Sequence, residues 1–223
     1  FCATGHEGLT RNLSSAEMIC QIIAVQNDFS CRVTNLVSMG QGEPFQNYQA
    51  TLEALRFANA KDGLEIGARH ITVSTCGIIQ GIERLANEPE QFTLAVSLHS
   101  ALQDVRNEIM PRSSNIPLPH LKKALRSYIE KTGRRISFEY LLIKGVTDTE
   151  ENLAALIDFC DGLLCHVNLL SVNEVEGSPY KPSSTATQQR WVRELKSAGK
   201  EATIRNSRGS DIDGACGQLK NKM

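Results

Sequence analysis

The sequence lacks long apolar runs and an excess of positive charge. None of its runs approaches the ~18 apolar residues that a membrane span needs, and no secretory signal is visible. The net charge is −1, so no global basic field would attract nucleic acid. We therefore predict a cytoplasmic protein without a membrane partner, and composition alone gives no reason to expect RNA.

The cysteines also lack a recognisable pattern. None of the seven belongs to a C-x2-C pair, so a zinc signature is missing. An odd number without regular spacing disfavours a secreted disulfide scaffold. We expect reduced thiols, most of them buried as small apolar side chains, and by spacing alone Cys216 would be one of these.

Strand-length apolar runs alternate along the chain with amphipathic segments of helical length. The predicted strands are 33–39, 70–74, 92–97, 135–143, 166–170 and 202–205. The predicted helices are 14–28, 47–60, 79–86, one from 102, 118–131, 149–163 and 186–198. This alternation is typical of an α/β fold with a parallel sheet covered by helices. The chain is shorter than the ~250 residues usual for a closed eightfold barrel, so we predict a partial (β/α)6-type barrel as one domain over residues 1–223.

Polar residues follow four of the predicted strands, where the loops of a parallel sheet converge. They are Gly42, Glu43 and Pro44; Ser74 and Thr75; Ser97, Leu98 and His99; and Asn173. Each alone fits an ordinary turn, strand end or structural histidine. Their shared position indicates a site for a polar small molecule with amine and hydroxyl donors. A phosphate is disfavoured, because the set contains no lysine or arginine.

Three motifs together resemble one enzyme family. They are Phe-Cys-Ala-Thr-Gly at 1–5, Gly-Gln-Gly-Glu-Pro at 40–44, and Asp-Ile-Asp-Gly-Ala-Cys-Gly-Gln-Leu at 211–219. The sequence resembles the radical S-adenosylmethionine (SAM) dual-specificity enzymes that methylate C2 of adenine in 23S rRNA and tRNA. Further matching motifs extend the resemblance over essentially the whole chain, so it implies a radical SAM barrel.

The resemblance implies a role for each residue of the predicted site. Gly42 and Glu43 would bind SAM, with Glu43 taking the methionyl amine. The other implied SAM contacts are Ser74, Ser97, Leu98, His99 and Asn173. Cys216 would carry the transferred carbon as S-methylcysteine, although Gly214 replaces an alanine of the family motif.

The same resemblance implies a [4Fe-4S] cluster held by three cysteines spaced C-x3-C-x2-C. Only the last of them is present, as Cys2. The resolving cysteine and a small RNA-binding domain precede the cluster loop in the family, and the expected barrel lacks its first strand. We therefore expect this chain alone to hold no stable cluster and to be inactive alone. The implied partners are 23S rRNA, tRNA and an electron-donor protein.

The implied chemistry uses SAM twice. One SAM methylates Cys216, and a second supplies a radical that activates the methyl group. Radical chemistry is needed because C2 of adenine is electrophilic. It cannot act as the nucleophile in the displacement that ordinary methyltransferases use.

Three alternatives stay open at this point. A related family methylates C8 of the same adenine, but Gly-Ser-Pro-Tyr at 177–180 and the Gly-Glu-Pro motif favour C2. A second alternative is a binding module that keeps the SAM pocket or an RNA surface without chemistry. A third is an aldolase or phosphate-binding barrel, for which Lys144 is the candidate Schiff-base lysine.

Overall fold

The computed structural model describes residues 1–2, 5, 8–113, 115–173, 178–206, 215 and 218. Six parallel strands form one sheet in which spatial order follows chain order. The strands are Leu36–Ser38 (β1), Ile71–Thr75 (β2), Thr93–Ser97 (β3), Ile136–Leu142 (β4), Cys165–Ser171 (β5) and Glu201–Arg205 (β6). Each connection adds the next strand at the same edge, as same-handed crossovers require. The predicted α/β fold with a parallel sheet is confirmed.

Helices connect the strands and cover one face of the sheet. Those with described bounds are Ser15–Phe29 (α1), Tyr48–Asn59 (α2), Ile79–Leu85 (α3), Gln103–Ile109 (α4), Leu118–Thr132 (α5), Glu150–Cys160 (α6) and Thr185–Ser197 (α7). Short 3-10 turns occupy Pro44–Asn47, Ala68–His70 and Pro111–Ser113. Among the residues that the structure describes, no helix has the length and apolar character needed to cross a membrane.

The helix starting after Ser14 shows how local sequence fixes an element. Ser14 Oγ accepts the Glu17 N–H at 3.3 Å, and Glu17 Oε2 accepts the Ser14 N–H at 2.8 Å. This reciprocal capping box satisfies two N–H groups that have no partner inside the helix. The predicted helix start is confirmed.

Two predicted elements have a boundary that differs from the structure by more than one residue. Strand β1 is shorter than 33–39, because the Val33 N–H donates to Gln26 Oε1 of α1 at 2.9 Å and not to the sheet. Helix α6 ends at Cys160 and not at 163, because Asp161 is extended and Gly162 adopts a left-handed φ of +71°.

The two faces of the sheet differ in chemistry because side chains alternate along each strand. The outer face contributes Val73, Val96, Phe138 and Val167 to the main apolar cluster beneath the helices. The opposite, inner face carries an aligned polar row: Ser97 pairs with Glu139, Glu139 with Asn168, and Asn168 with Thr203. We call these four residues the inner polar row.

Candidate functional site

The loop after β1 is tied to the loop after β2 through Glu43. Gly42 adopts a left-handed φ of +88°, which glycine tolerates without strain. Glu43 Oε1 accepts the Phe45 N–H at 3.0 Å and so caps the following 3-10 turn. Its other oxygen, Oε2, accepts the Cys76 N–H at 2.7 Å. The carboxylate therefore has a fixed position at the carboxyl end of the sheet.

The same loop is packed against α3 through a close ring contact. Phe45 is buried, and an ideal Cβ at Gly81 would lie only 2.3 Å from its ring. Glycine at this position of α3 therefore makes room for Phe45. The contact seats the chain two residues after Glu43.

A buried arginine supports the loop after β2. Arg106 Nη2 donates to the Cys76 carbonyl at 2.5 Å, and Nη1 donates to the Ser113 carbonyl at 3.3 Å. Burial lowers the pKa of Arg106. Burial, together with Glu43, raises the pKa of the Cys76 thiol to about 12, so this thiol is neutral at physiological pH.

The Ser-Leu-His segment leaves the end of β3 in a constrained conformation. The N–H groups of Leu98 and His99 both donate to the Glu139 carbonyl, at 3.1 and 3.2 Å. His99 has a φ of +58°, which is uncommon for a residue other than glycine. The conformation turns the chain sharply at the carboxyl end of β3.

The His99 ring is buried and neutral. It lies edge to face with the Phe1 ring, with centroids 4.9 Å apart. Burial, aided by Arg106, lowers the pKa of His99 to about 3. Nδ1 has no hydrogen-bond partner among the described residues although it is buried. Buried polar atoms are normally satisfied, so an unused nitrogen here fits a polar ligand.

A network across the inner face lies beside these loops. Glu139 Oε1 accepts Asn168 Nδ2 at 2.9 Å, and Oε2 accepts Arg205 Nη1 at 3.2 Å. Thr203 Oγ1 donates to Asn168 Oδ1 at 3.2 Å. Three strands, β4 to β6, are thus cross-linked by side chains as well as by their backbones.

The predicted SAM residues lie at one end of the sheet. Gly42 and Glu43 follow β1, Ser74 lies near the end of β2, Ser97 ends β3, and Asn173 follows β5. Leu98 and His99 follow β3. The Leu98 side chain is fully buried in the apolar cluster, so it can offer a ligand only backbone groups.

The remaining predicted site residues divide into described and undescribed ones. Cys2 is half-buried with a free thiol, and its carbonyl accepts the Gly5 N–H at 3.1 Å. Cys216 and Gly177 lie outside the described residues. Lys144 follows β4 and is exposed, whereas a Schiff-base lysine is activated by desolvation. The aldolase alternative therefore gains no support.

Among the described cysteines, Cys2 is the one that the predicted cluster motif contains. No group of three or more His, Cys, Asp or Glu side chains within the described ranges is placed to hold a metal. A [4Fe-4S] cluster is held mainly by cysteine thiolates, so these residues alone do not complete its ligand set. The role of Cys2 as a cluster ligand stays a prediction.

Sequence reasoning missed three residues that shape the site: Glu139, Arg106 and Ser100. Ser100 Oγ donates to Asn152 Oδ1 at 2.8 Å, which holds the loop after β3 against α6. Glu139 had a visible signal, since it is the one charged residue in strand 136–142. Arg106 had none, because its partners are backbone carbonyls, of Cys76 and Ser113, which no side-chain pattern marks.

Comparison with known proteins identifies the class. The Radical SAM superfamily matches residues 1–157 of the chain, and the chain belongs to this superfamily. A crystal structure of a radical SAM methyltransferase from Sphaerobacter thermophilus superimposes with a TM-score of 0.94 and 46% identity, covering 99% of this chain and 65% of that one. A domain of a pyruvate-formate lyase-activating enzyme from Bacteroides vulgatus, at 18% identity and a TM-score of 0.60, shares the fold.

Curated relatives are more specific. A protein of Clostridium novyi named probable dual-specificity RNA methyltransferase RlmN is 44% identical over 220 residues, which is 99% of this chain and 64% of the relative. A protein of the same name from Alkaliphilus oremlandii is 46% identical over 222 residues, or 100% and 65%. The chain thus spans somewhat less than two thirds of the length of these relatives. The resemblance stated from the motifs is confirmed.

Proposed function

We propose that residues 1–223 form the catalytic barrel of a radical SAM RNA methyltransferase that methylates C2 of adenine in 23S rRNA and tRNA. The observation that carries the proposal is the convergence of the predicted SAM residues at one end of the sheet, with His99 Nδ1 buried and unpartnered among the described residues. Similarity to proteins named dual-specificity RNA methyltransferases supports the substrate class.

Glu43 is suited to hold the methionyl amine of SAM. Each of its carboxylate oxygens accepts one backbone N–H, and a carboxylate oxygen has a second lone pair for another donor. Both bonds are made before SAM binds, so little side-chain entropy is lost on binding. Gly42, without a side chain, allows close approach of the backbone.

The opposite side of the site would be formed by hydrogen-bonding groups without charge. Ser97 and Asn173 supply a hydroxyl and an amide, and His99 stays neutral. Such groups suit the ribose and adenine of SAM, because they can recognise hydroxyl and ring nitrogen atoms without attracting a phosphate. This lining agrees with a nucleoside cofactor bearing no phosphate.

Cys2 would be one thiolate ligand of a [4Fe-4S] cluster, and Cys216 would carry the methyl carbon. Together the cluster and SAM supply radical chemistry, while the protein positions the reacting groups. An electron-donor protein completes the proposed set of partners. The raised pKa of Cys76 leaves this nearby thiol protonated, so it would not compete as a nucleophile.

Methyl mapping on RNA tests the proposal. The protein from the complete reading frame is reconstituted anaerobically with iron and sulfide, then incubated with SAM, a reductant and 23S rRNA or tRNA transcripts. Nucleoside mass spectrometry is expected to show 2-methyladenosine. The Cys216→Ala variant is expected to yield none, whereas Cys20→Ala, which removes an exposed cysteine on α1, retains full activity.

Two other results would change the conclusion. 8-Methyladenosine would assign the chain to the C8-methylating relatives. The second result is SAM binding without any methylated adenosine, which would indicate a binding module. The protein in that experiment must contain about four irons per chain, as a [4Fe-4S] cluster requires.

A further inference from the structure

Glu139 is a buried carboxylate on an apolar strand. Only 4% of the residue is exposed, and its neighbours on either side, Phe138 and Tyr140, are fully buried. Burying a charge is costly unless it is paired and hydrogen-bonded. The partners that offset this cost are Asn168 and Arg205. An apolar residue would fit β4 without that cost, so a purely stabilising role does not account for Glu139.

Glu139 contacts two parts of the proposed site at once. Its backbone carbonyl accepts the N–H groups of Leu98 and His99, so it fixes the start of the loop after β3. Its side-chain carboxylate binds Arg205, the last residue of β6. The chain segment that follows β6 carries Cys216. Glu139 therefore links the predicted SAM loop after β3 to strand β6, and β6 precedes the predicted methyl carrier Cys216 in the chain.

Arg205 reaches the opposite edge of the sheet as well. Its Nη1 lies 3.5 Å from Met39 Sδ, and Met39 directly follows β1. Strands β1 and β6 are the two edges of the six-stranded sheet, so the contact shows that the sheet curves until residues at its edges meet. Arg205 thus spans from β6 to the loop that bears Gly42 and Glu43.

We propose that Glu139 and Arg205 form a positioning pair that sets the carboxyl end of β6, from which the chain continues to Cys216, relative to the loops that bear the predicted SAM residues. In this role the pair acts on the transfer to Cys216 through the end of β6 and not as a ligand of SAM. This inference rests on the proposed function, since it assigns the pair a role in the transfer between SAM and Cys216.

Exposure separates this pair from an ordinary surface ion pair. The Glu139 side chain is 5% exposed and that of Arg205 is 42% exposed, and the carboxylate is further held by Asn168. The Arg190–Glu150 pair, by contrast, joins α7 to α6 with side chains 37% and 74% exposed. Exposed pairs contribute little, so Glu150→Gln is a matched control that removes a carboxylate from an ion pair outside the site.

The test compares Arg205→Met, Glu139→Gln and Arg205→Lys with Glu150→Gln in the protein from the complete reading frame. Methylation of Cys216 is followed by intact mass as a function of SAM concentration. We expect Arg205→Met to lower kcat for this transfer roughly tenfold or more, because misplacement of about 1 Å can cost ~100-fold. KM for SAM should stay within about threefold. Arg205→Lys, which keeps the charge, should recover most of the rate, and Glu150→Gln should match wild type.

A second readout does not need the loaded enzyme. N-ethylmaleimide alkylation rates are measured by peptide mass spectrometry at Cys216, with the exposed Cys20 and Cys31 as internal references. We expect Arg205→Met to change the Cys216 rate at least about threefold while the two reference rates stay constant. A variant that is only less stable would also raise the alkylation rate of the buried Cys160, which reacts when the fold opens.

Several outcomes would overturn the inference. Unchanged kcat and unchanged Cys216 alkylation in Arg205→Met would show that the pair positions nothing. A raised KM with unchanged kcat would make Arg205 a SAM-binding residue instead. If Glu139→Gln fails to fold, Arg205→Met breaks the same pair from its exposed side. Wild-type protein that never methylates Cys216 would count against the proposed function, while the alkylation ratio would still test the pair.

Discussion

The outer and inner faces of the sheet are built from alternate residues of the same strands, yet they have opposite chemistry. Val96, Phe138 and Val167 on the outer face have no exposed surface. Ser97 follows Val96 and Asn168 follows Val167. Both belong to the inner polar row and are partly exposed. The period of two in a strand therefore places the core residue Val96 and the proposed SAM residue Ser97 next to each other in the chain but on opposite faces.

The two faces also differ in the interactions that hold their side chains in place. Outer residues are fixed by close packing against helices. Inner residues are fixed by hydrogen bonds between strands, as in the link from Glu139 to Asn168 and Arg205. Substitutions on the outer face should therefore change the free energy of unfolding, whereas substitution of the proposed SAM residue Ser97 on the inner face should change ligand binding.

The largest effect is expected for Phe138→Ala on the outer face. Phe138 is fully buried and packs edge to face on Phe159 of α6, with ring centroids 5.6 Å apart. Removing the ring should lower the free energy of unfolding by about 3–5 kcal/mol, measured by urea denaturation. Phe57→Ala, at a site 39% exposed, is the control and should cost below about 1 kcal/mol. Equal losses at both sites would contradict the assignment of the outer face as the core.

An intermediate effect is expected from the titration of His99. Its folded-state pKa of about 3 lies below the ordinary value of 6.5, so below pH 6.5 the unfolded state binds a proton that the folded state does not. The stability contribution is thus complete above about pH 6.5 and is lost as the pH falls toward 3. From pH 6.5 to 5, this histidine should remove roughly 1.5 kcal/mol from the free energy of unfolding.

The variant His99→Asn isolates that contribution, because asparagine tolerates a left-handed φ. Its free energy of unfolding should fall less than that of wild type between pH 6.5 and 5. His120→Asn, which changes an exposed histidine on α5, should follow the wild-type curve. Parallel curves for wild type and His99→Asn would show that His99 is not buried in its neutral form.

The smallest effect on stability is expected for Ser97→Ala on the inner face. Ser97 ends β3 and is partly exposed, so the free energy of unfolding should stay within about 0.5 kcal/mol of wild type. Under the proposed function, loss of its hydroxyl should weaken SAM binding about two- to tenfold, measured by calorimetry. A stability loss without a binding change would place Ser97 with the core and remove the distinction between the faces.

The sequence predicts elements better than it predicts partners. Strands such as 135–143 were recognisable because β-branched and aromatic residues cluster there, and strand–helix alternation then limits the topology. Position at strand ends predicts a site for a polar small molecule, whereas the assignment of these residues to SAM rests on the family resemblance. The side-chain partners of Glu139, Asn168 and Arg205, lie far away in the chain, and no local pattern encodes such pairs. Cys2, the SAM set and Cys216 keep the roles assigned by motif as proposals.

The packing of Phe45 on Gly81 has a consequence for how this protein can evolve. A side chain at position 81 would enter the space of the Phe45 ring, with 2.3 Å between the new Cβ and the ring. The two positions can therefore vary only together: a larger residue at 81 is tolerated after Phe45 has become smaller. Because Phe45 lies two residues after Glu43, Gly81 on α3 restricts which residues can occupy the loop proposed to bind SAM.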